Sequence, residues 1–512
     1  MKFREALIKL NKIFPAHLKI YQIKNNEHHM IQDWNELPDS EFNITDDSRN
    51  VNINTLFFST FFAKSYLNDA ILKHPFAIFV SKKELHKLLK DHKYNGFCII
   101  GKKEPDFYLG YLSSIYYDYP SKDMYIVAIT GTNGKTTISF MIYHLWKKKH
   151  IPCAVIGTLG VFYWNGSMEK HIYTGFTTPR AYELHQILDV LKKENIQHIV
   201  IEASSEALAL RRLEGLNIQK AIFTNLGRDH LNFHKNLNAY FFAKLHLFFL
   251  TLRATKEKIP FVVVYNSNTY YLFYRFIQKT NAKILFLLQS HLNHNFVKYQ
   301  PMPLLFNQFN ALCAYYGITR NEEPLYKLSE KPLSDFKGVP GRVERLALTD
   351  SIDIIIDYAH TPDALENLLS ELKNQYEFMV LVFGCGGNRD IEKRPLMGNI
   401  AANYCDYIFL TDDNPRNENP QKIRNDIKKG IPVNKYHILQ EIGDRKLAIQ
   451  NAIEYTFNIQ KNSDKKSCII IAGKGHENYQ IIGNKKISYS DKEAVLELIK
   501  IISHPNEKKT LR

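Results

Sequence analysis

The run Ile126-Val-Ala-Ile-Thr-Gly131-Thr-Asn-Gly134-Lys135-Thr136-Thr137 constrains this chain more than any other stretch. Tyr125 to Ile129 is an unbroken apolar segment, the pattern of a buried strand. A turn with two glycines follows, and Ile138, Met141, Ile142 and Leu145 then recur at helical spacing. A strand entering a helix through such a turn aims backbone N–H groups and the positive helix end at an anion. Lys135 can reach a terminal phosphate, and the hydroxyl of Thr136 or Thr137 can hold Mg²⁺. The spacing is Gly-x-x-Gly-Lys-Thr, because Ile129 stands where the longer phosphate-loop pattern has its first glycine. The segment reads as an ATP site made by Gly131, Thr132, Asn133, Gly134, Lys135, Thr136 and Thr137.

A chain of 512 residues is long for one domain, and about two to four compact units are expected. The formal charge of +15 would suit a polyanion, but the lysines are scattered and gather only at Lys147–Lys149 and in the tail. No nucleic-acid face declares itself, and compositional drift explains the charge as well. The six cysteines are far apart with no Cys-x-x-Cys pair, as in reduced core thiols of a cytosolic protein. No apolar run approaches the roughly 18 residues of a spanning helix, and Met1-Lys-Phe-Arg-Glu lacks a signal core. A cytoplasmic protein, without membrane insertion, is expected.

Short strands and helices mix in residues 1–120, with Leu56–Phe58, Phe76–Val80 and Phe97–Ile100 as strands, and Tyr116–Lys122 reads as a linker. From Met124 strands alternate with helices: Tyr125–Ile129, Ala154–Ile156, His198–Ile201 and Ala221–Phe223, with Tyr182–Lys193 helical between them. This alternation argues for a parallel sheet covered on both faces. Residues 251–300 are less orderly. The Gly/Pro cluster Lys337–Gly341 suits a hinge. Strands then restart at Ile352–Ile356, Phe378–Phe383, Tyr407–Leu410 and Ser467–Ile471. The expected domains are 1–120, 121–337 and 338–512.

Polar constellations follow the strands, where an open α/β sheet places its ligands. They include Thr177-Thr178-Pro179, Glu202-Ala-Ser204-Ser205, Thr224-Asn-Leu-Gly-Arg228-Asp229-His230-Leu and Lys244. Glu202 and His230, both read as lying at strand ends, could hold a divalent ion beside the nucleotide. Further on stand Pro340-Gly-Arg342-Val-Glu344-Arg, Asp357-Tyr-Ala-His360-Thr-Pro-Asp363-Ala-Leu and Phe383-Gly-Cys-Gly-Gly387-Asn388-Arg389-Asp390. Asp413-Asn414-Pro415-Arg416 and Gly473-Lys474-Gly475-His476-Glu477 complete the series.

Taken together, in this order and spacing, these motifs resemble the Mur ligases of peptidoglycan synthesis, from about Ile126 to Glu493. The resemblance implies an α/β chain of three domains. These would be an N-terminal domain for the uridine end of the substrate, a central P-loop parallel-sheet ATPase domain, and a C-terminal Rossmann-like α/β domain for the amino acid. It implies phosphorylation of the D-Glu carboxylate of UDP-N-acetylmuramoyl-L-Ala-D-Glu by ATP with Mg²⁺, then attack on the acyl phosphate by an amino acid. Lys135, Lys244, His230 and Glu202 would be catalytic, with Asn310 and Arg342 also at the nucleotide. Thr136, Glu202, His230 and a carbamylated Lys244 would hold metal. Ser48, Thr177, Thr178, Ser204 and Arg212 would bind the UDP-substrate. In the family the signature Asp413-Asn414-Pro415-Arg416 accompanies meso-diaminopimelate, whose far carboxylate an arginine fork can bind bidentately. Arg389, Asp413, Asn414, Pro415, Arg416, Gly473 and Glu477 are therefore the expected amino-acid pocket, and the protein is expected to act as a monomer.

Several positions depart from the family pattern. Phe61-Phe-Ala-Lys-Ser65 replaces a Gly-containing turn, Glu206 stands in place of a histidine, and Leu210 in place of a polar contact. Asn388 replaces an acid, and a glycine is missing ahead of Leu305. From sequence alone three other readings stay open: a lysine-adding relative, a folylpolyglutamate or cyanophycin type of ligase, and a nucleotide-dependent binding module without transfer activity.

Overall fold

The computed structural model describes all residues except 25–26, 92–93, 266, 289, 291, 293–303, 320–332, 462–464 and 504–512. Three large sheets succeed one another along the chain. The first has six strands in the spatial order Glu27–Met30, Leu18–Lys24, Gly96–Gly101, Ala77–Val80, Thr55–Phe58 and Asn43–Thr45. Its first two pairings are antiparallel and the rest parallel. Helices Phe3–Ile13 and Pro105–Tyr116 cover one face, and Leu67–Ile71 with Lys82–Asp91 the other.

The middle sheet has eight strands ordered Glu169–Ile172, Gly160–Trp164, Cys153–Gly157, His198–Glu202, Tyr125–Thr130, Ile218–Phe223, Phe261–Val264 and Ile284–Leu287. The last six run parallel. Tyr125–Thr130 lies inside this sheet with every side chain buried, which is why its sequence shows no alternation. The segment that looked disorderly from sequence thus adds two regular strands to the sheet; residues 293–300 lie outside the described part.

In the third sheet the order is Glu344–Ala347, Ile352–Asp357, Ser467–Ala472, Phe378–Phe383, Tyr407–Leu410 and Leu439–Glu441. All pairs are parallel except the first. A separate hairpin, Tyr479–Ile482 with Lys485–Ser488, closes the end of this unit. The six cysteines are all buried and free: Cys98 in the first unit, Cys153 and Cys313 in the middle one, and Cys385, Cys405 and Cys468 in the last. Among the described residues no helix is long and apolar enough to cross a membrane.

Candidate active site between the three sheets

The strand Tyr125–Thr130 runs out into Gly131, at φ 144°, and Gly134, at φ 87°, opens the helix Lys135–Lys148. Both glycines are required by more than their dihedrals. A Cβ on Gly131 would stand 1.9 Å from Thr224 Oγ1, and one on Gly134 would stand 2.7 Å from Asn310 Oδ1. Lys135 folds back over the loop and donates from Nζ to the carbonyls of Gly131 and Thr132, each at 2.9 Å. Burial holds its pKa below the ordinary lysine value. Asn133 N–H donates to Asn225 Oδ1 at 2.9 Å, so the loop is pinned from the neighbouring strand end. From the third unit Arg342, stacked 4.2 Å over the Tyr358 ring, reaches Thr136 Oγ1 at 3.4 Å.

Glu202 ends the strand His198–Glu202 and is fully buried. Its Oε2 accepts from Thr136 Oγ1 at 2.9 Å and Thr158 Oγ1 at 3.0 Å, and its Oε1 from Thr158 N–H at 3.1 Å. Gly157 makes room for it, since a Cβ there would meet Oε1 at 2.0 Å. Lys244 lies on the helix Leu237–Ala254 and is 1% exposed, not a solvent-facing lysine. It donates to Gly131 O at 2.8 Å and sits 4.3 Å over the Tyr240 ring. Burial first, and the Lys135 charge second, push its pKa well below the lysine range.

The structure places His230 differently from the sequence expectation. His230 is not at a strand end but beyond it, at φ 53°, where it caps the short helix Leu231–His234. Its Nδ1 lies 3.1 Å from Glu206 Oε1 and its Nε2 3.3 Å from Asp229 Oδ2, while Glu202 is bound up with threonines. Among the described residues, no three His, Cys, Asp or Glu side chains gather into a metal cluster.

The remaining candidates converge from both sides. Thr178 Oγ1 donates to Glu202 O at 2.6 Å and accepts from Ser204 N–H at 3.1 Å; Arg212 donates to Thr178 O at 2.8 Å. Thr177 Oγ1 is 3.1 Å from Thr158 Oγ1. Ser48 comes from the first unit, which is tied to the middle one by Arg180 NH1 and Asp46 Oδ1 at 3.1 Å. In the third unit Asn414 Nδ2 donates to Glu477 Oε2 at 2.9 Å, and buried Lys474 bridges both residues. Arg416, at φ 52°, donates from NH1 to Gly387 O at 3.0 Å. Its backbone is held by the hairpin: Arg416 N–H donates to Ile481 O, and Gly483 N–H to Arg416 O. Gly473, at φ 114°, faces the buried Asp413 carboxylate.

One cavity of about 1230 Å³ is lined by all of these candidates except Gly131, Glu202 and Pro415. Gly131 and Glu202 act on it through Lys135 and Thr136, and Pro415 backs onto Gly387, whose Cβ would meet its carbonyl at 1.9 Å. Sequence reasoning missed Tyr479, which lines the cavity from the hairpin, and Asp229, paired to His360 Nε2 at 3.8 Å. The motifs containing Asp229 and His360 were visible; nothing in the sequence singled out Tyr479.

Two family models match this chain: the Mur ligase middle domain over residues 129–300, and the Mur ligase glutamate ligase domain over 341–475. The diaminopimelate ligase of Oceanobacillus iheyensis, UDP-N-acetylmuramoyl-L-alanyl-D-glutamate–2,6-diaminopimelate ligase, is 33% identical. The match covers 85% of this chain and 89% of the relative. The enzyme of the same name from Clostridium botulinum is 35% identical over 81% of this chain and 86% of its own. A solved structure bearing that enzyme name superposes with a TM-score of 0.56 at 28% identity, over 97% of this chain and 99% of the other. A Mycobacterium tuberculosis folylpolyglutamate synthase shares the fold, with a TM-score of 0.55 at 14% identity, over 70% and 91% of the two chains. The chain belongs to the Mur ligase family.

Proposed function

We propose that this enzyme joins meso-diaminopimelate to the D-Glu carboxylate of UDP-N-acetylmuramoyl-L-Ala-D-Glu, using ATP, in the cytoplasm and as a monomer. The observation that carries the reading is the single cavity that the phosphate loop, the Thr178–Arg212 group and the Asn414–Arg416 segment share. The working units are residues 1–120 for the uridine end with Ser48, 121–337 for ATP, and 338–512 for the amino acid.

A glutamyl carboxylate oxygen attacks the γ-phosphorus, and ADP leaves. The amine of diaminopimelate then attacks the acyl carbon; the C–O bond breaks, phosphate departs, and the nitrogen loses a proton. Phosphoryl transfer of this kind depends on positioning and charge neutralisation more than on covalent help. Lys135 and the N–H groups of residues 131–137 hold the β- and γ-phosphates, with Asn310 and Arg342 flanking them. The Thr136 hydroxyl beside the Glu202 carboxylate is a hard oxygen pair suited to Mg²⁺. Lys244, as its carbamate, and His230, on giving up one carboxylate partner, complete the set of residues that would hold the ion. Mg²⁺ bound there would offset charge on the phosphates. Thr177, Thr178, Ser204 and Arg212 orient the acceptor. Arg416 and Arg389 clamp the far carboxylate of the amino acid, while Asn414 and Glu477, against the turns at Asp413-Asn414-Pro415 and Gly473, read its far ammonium. Enclosure between three units keeps water from the acyl phosphate.

Phosphate release should require UDP-N-acetylmuramoyl-L-Ala-D-Glu and rise on adding meso-diaminopimelate, but little on adding L-lysine. Equal rates with both amino acids would refute the acceptor. Phosphate release indifferent to any amino acid would refute the ligase.

A further inference from the structure

We propose that Arg228 is a positioning residue: it latches the amino-acid loop of the third unit onto the nucleotide side of the middle one. The inference rests on the assignment of the third unit to the amino acid. Arg228 precedes Asp229 and His230 in the loop that follows the strand Ile218–Phe223. Its Nε lies 3.0 Å from Asp390 Oδ2, and its NH2 pairs with Glu392. Its backbone N–H donates to Asp363 Oδ2 at 3.0 Å. All three carboxylates belong to the last unit, more than 130 positions away in sequence.

The three contacts are not equal. Glu392 is 77% exposed and its pairing is screened by water, whereas Asp390 is only 13% exposed and sits beside Arg389. Asp390 Oδ1 also accepts the Glu392 N–H at 3.0 Å, so the turn after Arg389 is fixed from within and then fixed to Arg228. The next residue also reaches across the same gap, since Asp229 Oδ2 lies 3.8 Å from Nε2 of His360, an imidazole whose pKa burial pushes down to about 4 and which is so kept neutral. Gly227 shows how close the approach is: a Cβ there would meet Asp363 Oδ2 at 2.2 Å and Cγ at 3.2 Å. Loss of the Arg228 side chain would leave the phosphate loop intact, because Asn225 and Thr224 pin it independently and the neighbouring Gly227 holds Thr132 through its backbone alone. The penalty should therefore fall on the amino acid.

Steady-state kinetics on the full chain test this. Arg228→Ala should raise KM for diaminopimelate about five- to tenfold, with KM for ATP and for the UDP-substrate, and kcat, within about twofold of the parent. Arg228→Glu and Asp390→Arg should each be worse, and the double variant should recover most of the loss. An unchanged KM for diaminopimelate, a rise in all three KM values together, or a double variant no better than the singles would each overturn the proposal. Small-angle scattering without substrates separates this from the functional reading. Arg228→Glu should be more extended than the parent, and equal profiles would overturn the latch. Extension of Arg228→Glu relative to a parent that lacks activity with diaminopimelate would overturn the acceptor and leave the latch standing.

Discussion

Lys244 donates a 2.8 Å hydrogen bond from Nζ to the carbonyl of Gly131, the residue that opens the phosphate loop. A lysine from a distant helix thus stops at the turn proposed to hold the nucleotide's phosphates. Burial and the neighbouring Lys135 disfavour its charged form, and the neutral amine is the form that captures CO₂. Mass measurement should find one added CO₂ that exchanges with ¹³CO₂ and is absent from Lys244→Ala. That variant should lose on the order of a hundredfold in kcat. Full activity in it would sink the carbamate.

Glu202 offers a second test, because two substitutions should converge. Glu202→Gln removes the charge beside Thr136. Gly157→Ala leaves the charge but places a methyl group 2.0 Å from Oε1, forcing the carboxylate aside. Each should lower kcat by about 10- to 100-fold and weaken the dependence on added Mg²⁺. If Gly157→Ala turned over normally, the position of the carboxylate would not matter.

Arg416 is the residue on which acceptor choice should turn. Removing one partner of a desolvated arginine–carboxylate pair costs about 2–5 kcal/mol, or at least about thirtyfold in kcat/KM. Arg416→Ala should show that loss with diaminopimelate and almost none with L-lysine, which has no far carboxylate. Parallel losses with both would assign Arg416 to the fold.

Lys220 gives a pH signature away from the site. It is buried under the end of the helix Leu305–Ile318, donating to the Tyr316 and Thr319 carbonyls, and burial pushes its pKa down to about 8. Its folded value lies below the unfolded 10.5, so between these two the unfolded chain binds more protons. Its contribution to stability therefore rises from pH 8 towards 10.5, by about 3 kcal/mol. Urea unfolding should show this rise in the parent relative to Lys220→Met. Parallel pH profiles would contradict it.

What could be read from sequence was local. The strand–turn–helix around Gly131 and Gly134 is encoded within fifteen or so residues, and its glycines and Lys135 announce their chemistry. Lys244 was readable as a candidate, but its depth was not: residues 237–254 are apolar almost all round, so no face declares itself inward. His230 was misplaced because a turn with a positive φ at a histidine has no sequence signal comparable to glycine's. Arg228 with Asp390, and Asp46 with Arg180, depend on how separate sheets meet, which periodicity along one element does not carry. Tyr479 enters the cavity from a hairpin whose other strand is wholly exposed, so burial did not mark it as a strand pair.

The six thiols, shut inside three different cores, give the molecule a built-in clock. Burial raises each one whose shift is resolved, Cys153 to about 12 and Cys385 to about 11, so the native chain offers almost no thiolate. Any alkylation then reports an opening event, and its address tells which layer opened: Cys98 for the first, Cys153 or Cys313 for the middle, the other three for the last. Peptide mapping after timed labelling would rank the three layers by how often each one breathes.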